Sequence, residues 1–72
     1  MNQLLIEFVK SRRKASHLTQ EELAKKAGVG LRFIRDLEQG KTNLRMDKVN
    51  QVLALFGHVL GPVKEKKEMG DE

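Results

Sequence analysis

Residues Thr19–Gln39 read TQEELAKKAGVGLRFIRDLEQ, two short runs of helical character on either side of a glycine turn. Thr19 is a good N-cap, and Glu22 three positions on completes a capping box. A helix is therefore expected to begin at Gln20 with two otherwise orphaned backbone N–H groups satisfied. Glu21 and Glu22 fall where the helix dipole favours negative charge, and Lys25 and Lys26 where it favours positive charge. Gly28 supplies the stop, because glycine takes the left-handed conformation without a Cβ clash. A second helix is expected from about Leu31 to Gln39, with Ile34 and Leu37 on one face and Gly40 as its end.

The spacing decides how these two helices meet. Ala24 is a small residue for a close crossing, Gly28 allows a tight turn, and Ile34 and Leu37 are apolar contacts from the second helix. This is the pattern of a helix-turn-helix. Helices joined so tightly cross at a large angle, which leaves the second free to project a polar face into a DNA major groove.

Outward toward the N-terminus, Leu4, Leu5, Phe8 and Val9 give Asn2 to about Ala15 one apolar helical face that should pack inward. Lys10, Arg12, Arg13 and Lys14 crowd the end of this first helix. For Arg12 and Lys14 a solvated helix end and a phosphate-facing patch are both open readings. Outward toward the C-terminus, Gly40–Asn43 are turn formers, and Leu44, Met46, Val49, Val52, Leu53 and Phe56 form a fourth helical stripe to about Phe56. Ile6 and Leu55 fall outside the stripes and read as exposed apolar residues or as parts of a subunit contact.

Gly57 ends the fourth helix. The following HVLGPV is partly β-branched and is interrupted by Gly61 and Pro62, so it is expected to be extended. A lone strand in a helical domain would pair with its copy in a second subunit or with another protein. The expected organisation is residues 1–57 as an all-α domain, 58–63 as a dimerisation strand and 64–72 as a charged, disordered tail.

A chain of 72 residues suffices for one small domain, whose core a dimer or partner would usefully support. Residues 1–63 hold eleven basic and six acidic side chains, whereas residues 64–72 hold three and four, so the excess positive charge belongs to the folded part. That suits a polyanion, although charge alone is a weak argument for nucleic acid. Cysteine is absent, which excludes disulfides and thiolate metal sites and fits a reducing cytosol. No apolar run is long enough to span a membrane, and a signal peptide is not expected. His17 and His58 lack metal-ligand spacing and no serine lies in a nucleophile-elbow context, so neither an enzyme nor a metal site is expected. Three phenylalanines without Trp or Tyr make a poor stacking ladder for single strands.

Residues 4–56 resemble the Cro/C1-type (XRE) helix-turn-helix repressors, the resemblance lying in the run from Leu18 to Lys41 with its capping box, alanine, glycine, two apolar anchors and terminal Glu-x-Gly-Lys. It implies a compact four-helix or five-helix lambda-repressor-like domain. Within the family, GLRFIRDLEQGKTNLRMDKVNQVLALFG followed by a short apolar segment is similar to the small HipB-like antitoxins. Those dimerise partly through a C-terminal strand and repress an operon shared with a HipA-like kinase toxin. A stand-alone or phage-type repressor shares most of these residues, and an interaction module on the same scaffold is a reading from another class. The resemblance further implies a cytoplasmic, nucleoid-associated homodimer on an inverted-repeat operator, with no cofactor.

By the same resemblance, Arg13 and Glu38 should form a structural ion pair fixing the first helix against the third. Leu31, Arg32, Phe33, Arg35 and Asp36 should face base edges. Arg32 and Arg35 are the best candidates for guanine, since a guanidinium donates two bonds to O6 and N7. Leu31 and Phe33 replace the family's usual Gln or Ser and offer contact to thymine methyls instead, while Phe33 equally suits packing inward or against a subunit. Asp36 suits orienting an arginine or accepting from a cytosine amino group. Gly30 is a weaker N-cap than the family's Ser or Thr. Phosphate contacts are expected from Gln20, Lys41, Thr42, Asn43 and Arg45, and Val59, Leu60 and Val63 should form the dimer strand.

Overall fold

The computed structural model describes residues 3–64. Beyond Lys64, the expected tail lies outside the described residues. Four helices follow in order, α1 Gln3–Ala15, α2 Gln20–Ala27, α3 Leu31–Gln39 and α4 Met46–Ala54. Each boundary has a local cause. Thr19 Oγ1 accepts from the Glu22 N–H at 3.0 Å while the Thr19 N–H donates to Glu22 Oε1 at 2.8 Å, completing the capping box that starts α2. Gly28 and Gly40 end α2 and α3 with φ of 77° and 84°. The bonds from Val29 N to Ala24 O and from Lys41 N to Asp36 O close these ends in Schellman fashion. After Ala54 the chain tightens through i to i+3 bonds, Phe56 N to Leu53 O and Gly57 N to Ala54 O, before Gly57 turns it away.

The end of α1 is made differently. His17 takes φ 56° without being glycine, and the Leu18 N–H returns to Arg13 O at 3.1 Å. An L-residue in this region is costly. The turn that brings the chain from α1 into the α2 cap therefore rests on a position that no glycine announces.

Val9 from α1, Leu23 and Ala24 from α2, Ile34 and Leu37 from α3, and Val49, Val52 and Leu53 from α4 form one buried cluster. α2 packs against both α3 and α4, and α1 packs against α3. Ala24, 4% exposed, provides the small residue that lets α2 cross closely. Gln51 pins α4 to the turn by donating to the carbonyls of Ala27 and Gly28.

Most of the expected α1 stripe is inward, with Leu5 and Phe8 packed against the core cluster beside Val9, and the differences lie at Leu4 and Ile6. Ile6 and Val9 face the core, whereas Leu4 is 68% exposed. Ile6 is inward because α1 packs against α3 and its cap, where Ile6 Cδ1 approaches Gly40. Met46 is 69% exposed, since as the first residue of α4 it precedes the turn that meets the core. Leu55 is an exposed apolar residue rather than a core member.

No strand occurs among the described residues, so the expected β-strand of Val59, Leu60 and Val63 is not formed in the single chain. The physical reason is that a ladder needs a second strand, and the four helices provide none. The segment is instead tied back to the domain. The Leu60 N–H donates to Asn50 Oδ1 at 2.7 Å, and His58 places its ring 4.5 Å from that of Phe8. Phe8 also meets Phe56 edge-on, and the Arg12 guanidinium lies 5.1 Å above it.

Candidate nucleic-acid interface

The two faces of α3 have opposite duties. Ile34, Leu37 and Glu38 turn inward and are buried, whereas Arg32, Arg35 and Gln39 are exposed. The inward acid is matched. Glu38 accepts from Arg13 Nε at 2.8 Å and Nη2 at 3.1 Å, and from Gln20 Nε2 at 3.1 Å. Arg13 also donates through Nη1 to Leu18 O at 3.0 Å. Side-chain exposures of 13% and 3% make this a desolvated, bidentate pair joining α1 to α3, with Gln20 drawing in the first turn of α2. Two of the five guanidinium N–H donors of Arg13 are left over.

Gln20, expected at phosphate, thus spends one amide N–H on Glu38. An amide nitrogen carries two, so one donor is left for a ligand. The link to Glu38 joins positions 18 apart in sequence and had no local signal.

On the outer face, Arg32, Arg35, Asp36, Gln39 and Lys41 line a shallow polar concavity of about 260 Å³. Gln39 is absent from the sequence-based set. The signal that finds it is helical spacing, since it follows Arg35 by four and Asp36 by three. Asp36 Oδ1 lies 3.6 Å from Arg32 Nε. Leu31 and Phe33 are partly buried, each packing against the core cluster. Gly30 caps α3 with φ −78° and no side-chain bond.

Lys41, Thr42, Asn43 and Arg45 are all exposed between α3 and α4. Arg45 is partly committed. Its Nε and Nη2 donate to Asp47 at 3.1 and 2.7 Å, and these hydrogen bonds with the arginine charge hold the Asp47 carboxyl below the usual carboxylate range. The pair is solvent-exposed, so it contributes little to stability. Among the described residues no cluster of His, Cys, Asp or Glu is placed to hold a metal ion, and no helix is long and apolar enough to cross a membrane.

Apart from this polar concavity, α1 and the C-terminal segment border an apolar groove of about 460 Å³. Leu5, Phe8, Leu53 and Leu60 line it, and Val59 and Val63 stand at 71% and 73% exposure along it.

A small helical domain whose second short helix is clamped from behind and bears arginines in front is a helix-turn-helix. Residues 9–59 match the Helix-turn-helix family, and the chain belongs to this XRE-type family. It is 50% identical over 58 residues to a protein of Sinorhizobium fredii (strain NBRC 101917 / NGR234) named "Uncharacterized HTH-type transcriptional regulator y4mF", the match covering 76% of each chain. No solved structure matches it.

Proposed function

We propose that this protein is a sequence-specific double-stranded DNA-binding transcriptional repressor, without enzymatic activity, acting as a homodimer at an inverted-repeat operator in the cytoplasm. The observation that carries this reading is the division of α3, locked by Ile34, Leu37 and Glu38 on one face and presenting Arg32 and Arg35 beside Lys41 on the other. A rigid helix with an exposed cationic face fits a major groove, and the family and the similarity to a named transcriptional regulator support it. Arg32 and Arg35 read base edges, with Asp36 and the exposed sides of Leu31 and Phe33 beside them. Gln20, Lys41, Thr42, Asn43 and Arg45 contact phosphates and set register. Titrations of the chain's own promoter region and a scrambled duplex at several salt concentrations test it. Arg32→Ala should relax sequence preference, whereas Lys41→Ala should weaken both duplexes alike and flatten the salt dependence. Equal losses from both variants on every sequence would overturn the assignment.

One domain reads only a few base pairs, so specificity requires pairing. The second copy covers the groove between α1 and residues 58–63, where Val59 and Val63 present apolar surface, and because the His58 and Leu60 N–H groups are already bonded within the chain, the segment pairs across the two-fold axis by its opposite edge. Sedimentation of a chain truncated from Gly57 onward should give a monomer; a full dimer would refute this interface.

Within the repressor class, the run from Gly30 to Gly57 followed by the short apolar segment favours a HipB-like antitoxin that represses its own operon and binds a HipA-like kinase toxin. Co-expression with the product of the adjacent gene tests it. A kinase-like product that co-purifies and is neutralised supports the antitoxin, and an unrelated neighbour with intact repression supports a stand-alone regulator.

A further inference from the structure

We propose that Asp36 is a positioning residue for base reading, holding Arg32 so that its guanidinium selects guanine while lowering the affinity for DNA of any sequence. The inference rests on the DNA-reading function above and assigns a mechanism within that site. Asp36 is the one acid among the residues lining the outer concavity, with Arg32, Arg35 and Lys41 around it. For a surface that grips phosphate this is a disadvantage, since an acid at that place repels the backbone and offsets one of the cations.

What Asp36 offers in return is geometric. It stands one helical turn after Arg32, and its Oδ1 approaches Arg32 Nε to 3.6 Å. The arginine side chain is 85% exposed and the aspartate 28%, so a long mobile donor extends into solvent from a partly sheltered anchor. An approach through Nε leaves the two Nη nitrogens at the far end, and these are the donors that span O6 and N7 of guanine. An untethered arginine loses rotamer freedom when it orders on a base and can swing instead to a phosphate. The tether reduces the first loss and disfavours the second outcome. Asp36 therefore moves two measurable quantities in opposite directions, raising discrimination and lowering sequence-independent affinity, a pattern that a merely structural role would not produce.

The test uses the full chain. A randomised duplex library defines the preferred half-site, and single-base variants of it are titrated at several salt concentrations with wild type, Asp36→Ala, Asp36→Asn, Arg32→Ala and the Arg32→Ala/Asp36→Ala double variant. Asp36→Ala should lose about tenfold in guanine preference, at the base pair where Arg32→Ala loses it, and nothing further in the Arg32→Ala background. Its affinity for scrambled duplex should rise, with the salt slope steepening by up to about one. Asp36→Asn, uncharged but isosteric, should share the steeper slope and keep part of the preference; it also serves should the alanine variant melt. An unchanged guanine preference in both Asp36 variants would overturn the proposal, as would an additive loss at a different base pair, which would make Asp36 itself a reader of cytosine. A wild-type chain that binds selected and scrambled duplexes equally, or neither, would instead remove the DNA-reading function on which the proposal stands.

Discussion

Replacing Glu38 should damage this domain more than any exposed charge change, and the structure sets the scale. Its carboxylate accepts three hydrogen bonds, two from Arg13 and one from Gln20, at 3% exposure. Glu38→Ala leaves the Arg13 guanidinium, 13% exposed, with the Leu18 carbonyl as its remaining protein acceptor. Stranding one charge of a buried pair costs about 3–5 kcal/mol, and the nearby solvent edge open to Arg13 places the expected loss near the lower figure. A single core in a chain this short supplies about 3–5 kcal/mol in all, so the variant should stand at the edge of unfolding. Removing both charges is different. Arg13→Met/Glu38→Leu fills the same space with apolar groups and should recover most of the loss, because neither charge is then left unsolvated. Urea unfolding followed by helical circular dichroism, at one fixed protomer concentration so that any dimerisation enters equally, measures the full cycle. A Glu38→Ala loss below about 1 kcal/mol, the range of an exposed pair, or a double variant as unstable as the sum of the singles, would refute the argument.

Three further outcomes follow from local geometry. Gly40→Ala should destabilise by about 2 kcal/mol, from left-handed backbone at φ 84° and a new Cβ only 3.3 Å from the buried Ile6 Cδ1; thermal melts showing no loss would contradict the α1 packing. Gly30→Ser, at ordinary φ with open space around the new side chain, should stabilise by a few tenths of a kcal/mol or so by adding the missing α3 cap, measurable as a higher urea midpoint. The Thr19 backbone N–H, and then its hydroxyl, hold the Glu22 carboxyl below its usual range, aided by Lys26 and Lys25. A depressed folded value means that this contribution is complete above the ordinary glutamate value and is lost as pH falls through the folded one. The urea midpoint of wild type should therefore fall faster than that of Glu22→Gln below about pH 4.5, and parallel curves would exclude the capping box as the cause.

Legibility followed the range of the physics. Capping, dipole preference and glycine stops act within about four residues, and α2 and α3 are bounded where those rules place them. The α1 stripe was legible at Leu5, Phe8 and Val9 but not at Leu4 and Ile6, because in a helix rich in Leu, Ile, Phe and Val the edges of the inward face are set by its neighbours. What chose Ile6 over Leu4 was the end of α3 at Gly40, more than thirty positions away in sequence. The αL turn at His17 had no glycine to mark it, and Gln20 reads as a ligand donor until Glu38 is seen beside it. Of the residues lining the concavity, Arg32, Arg35, Asp36 and Lys41 were singled out from sequence, and Gln39 was missed although its helical spacing from Arg35 and Asp36 carries the signal.

On the proposed function, Gln20, Arg13 and Glu38 connect stability to reading. A recognition helix discriminates base pairs only if its backbone holds position while side chains compete for edges and phosphates, because a misplaced helix would satisfy several registers equally. α3 contributes two side chains, Ile34 and Leu37, to the buried apolar cluster of the described residues, so its sliding is opposed by a small apolar contact. A bidentate Arg–carboxylate pair resists such sliding better than apolar contact does, since its two bonds fix direction as well as distance. The apolar double variant should therefore separate the two roles. If Arg13→Met/Glu38→Leu retains most stability yet loses operator preference relative to scrambled duplex, the pair orients the helix. If stability and preference both persist, apolar packing alone holds α3 in register and the ion pair has no part in recognition.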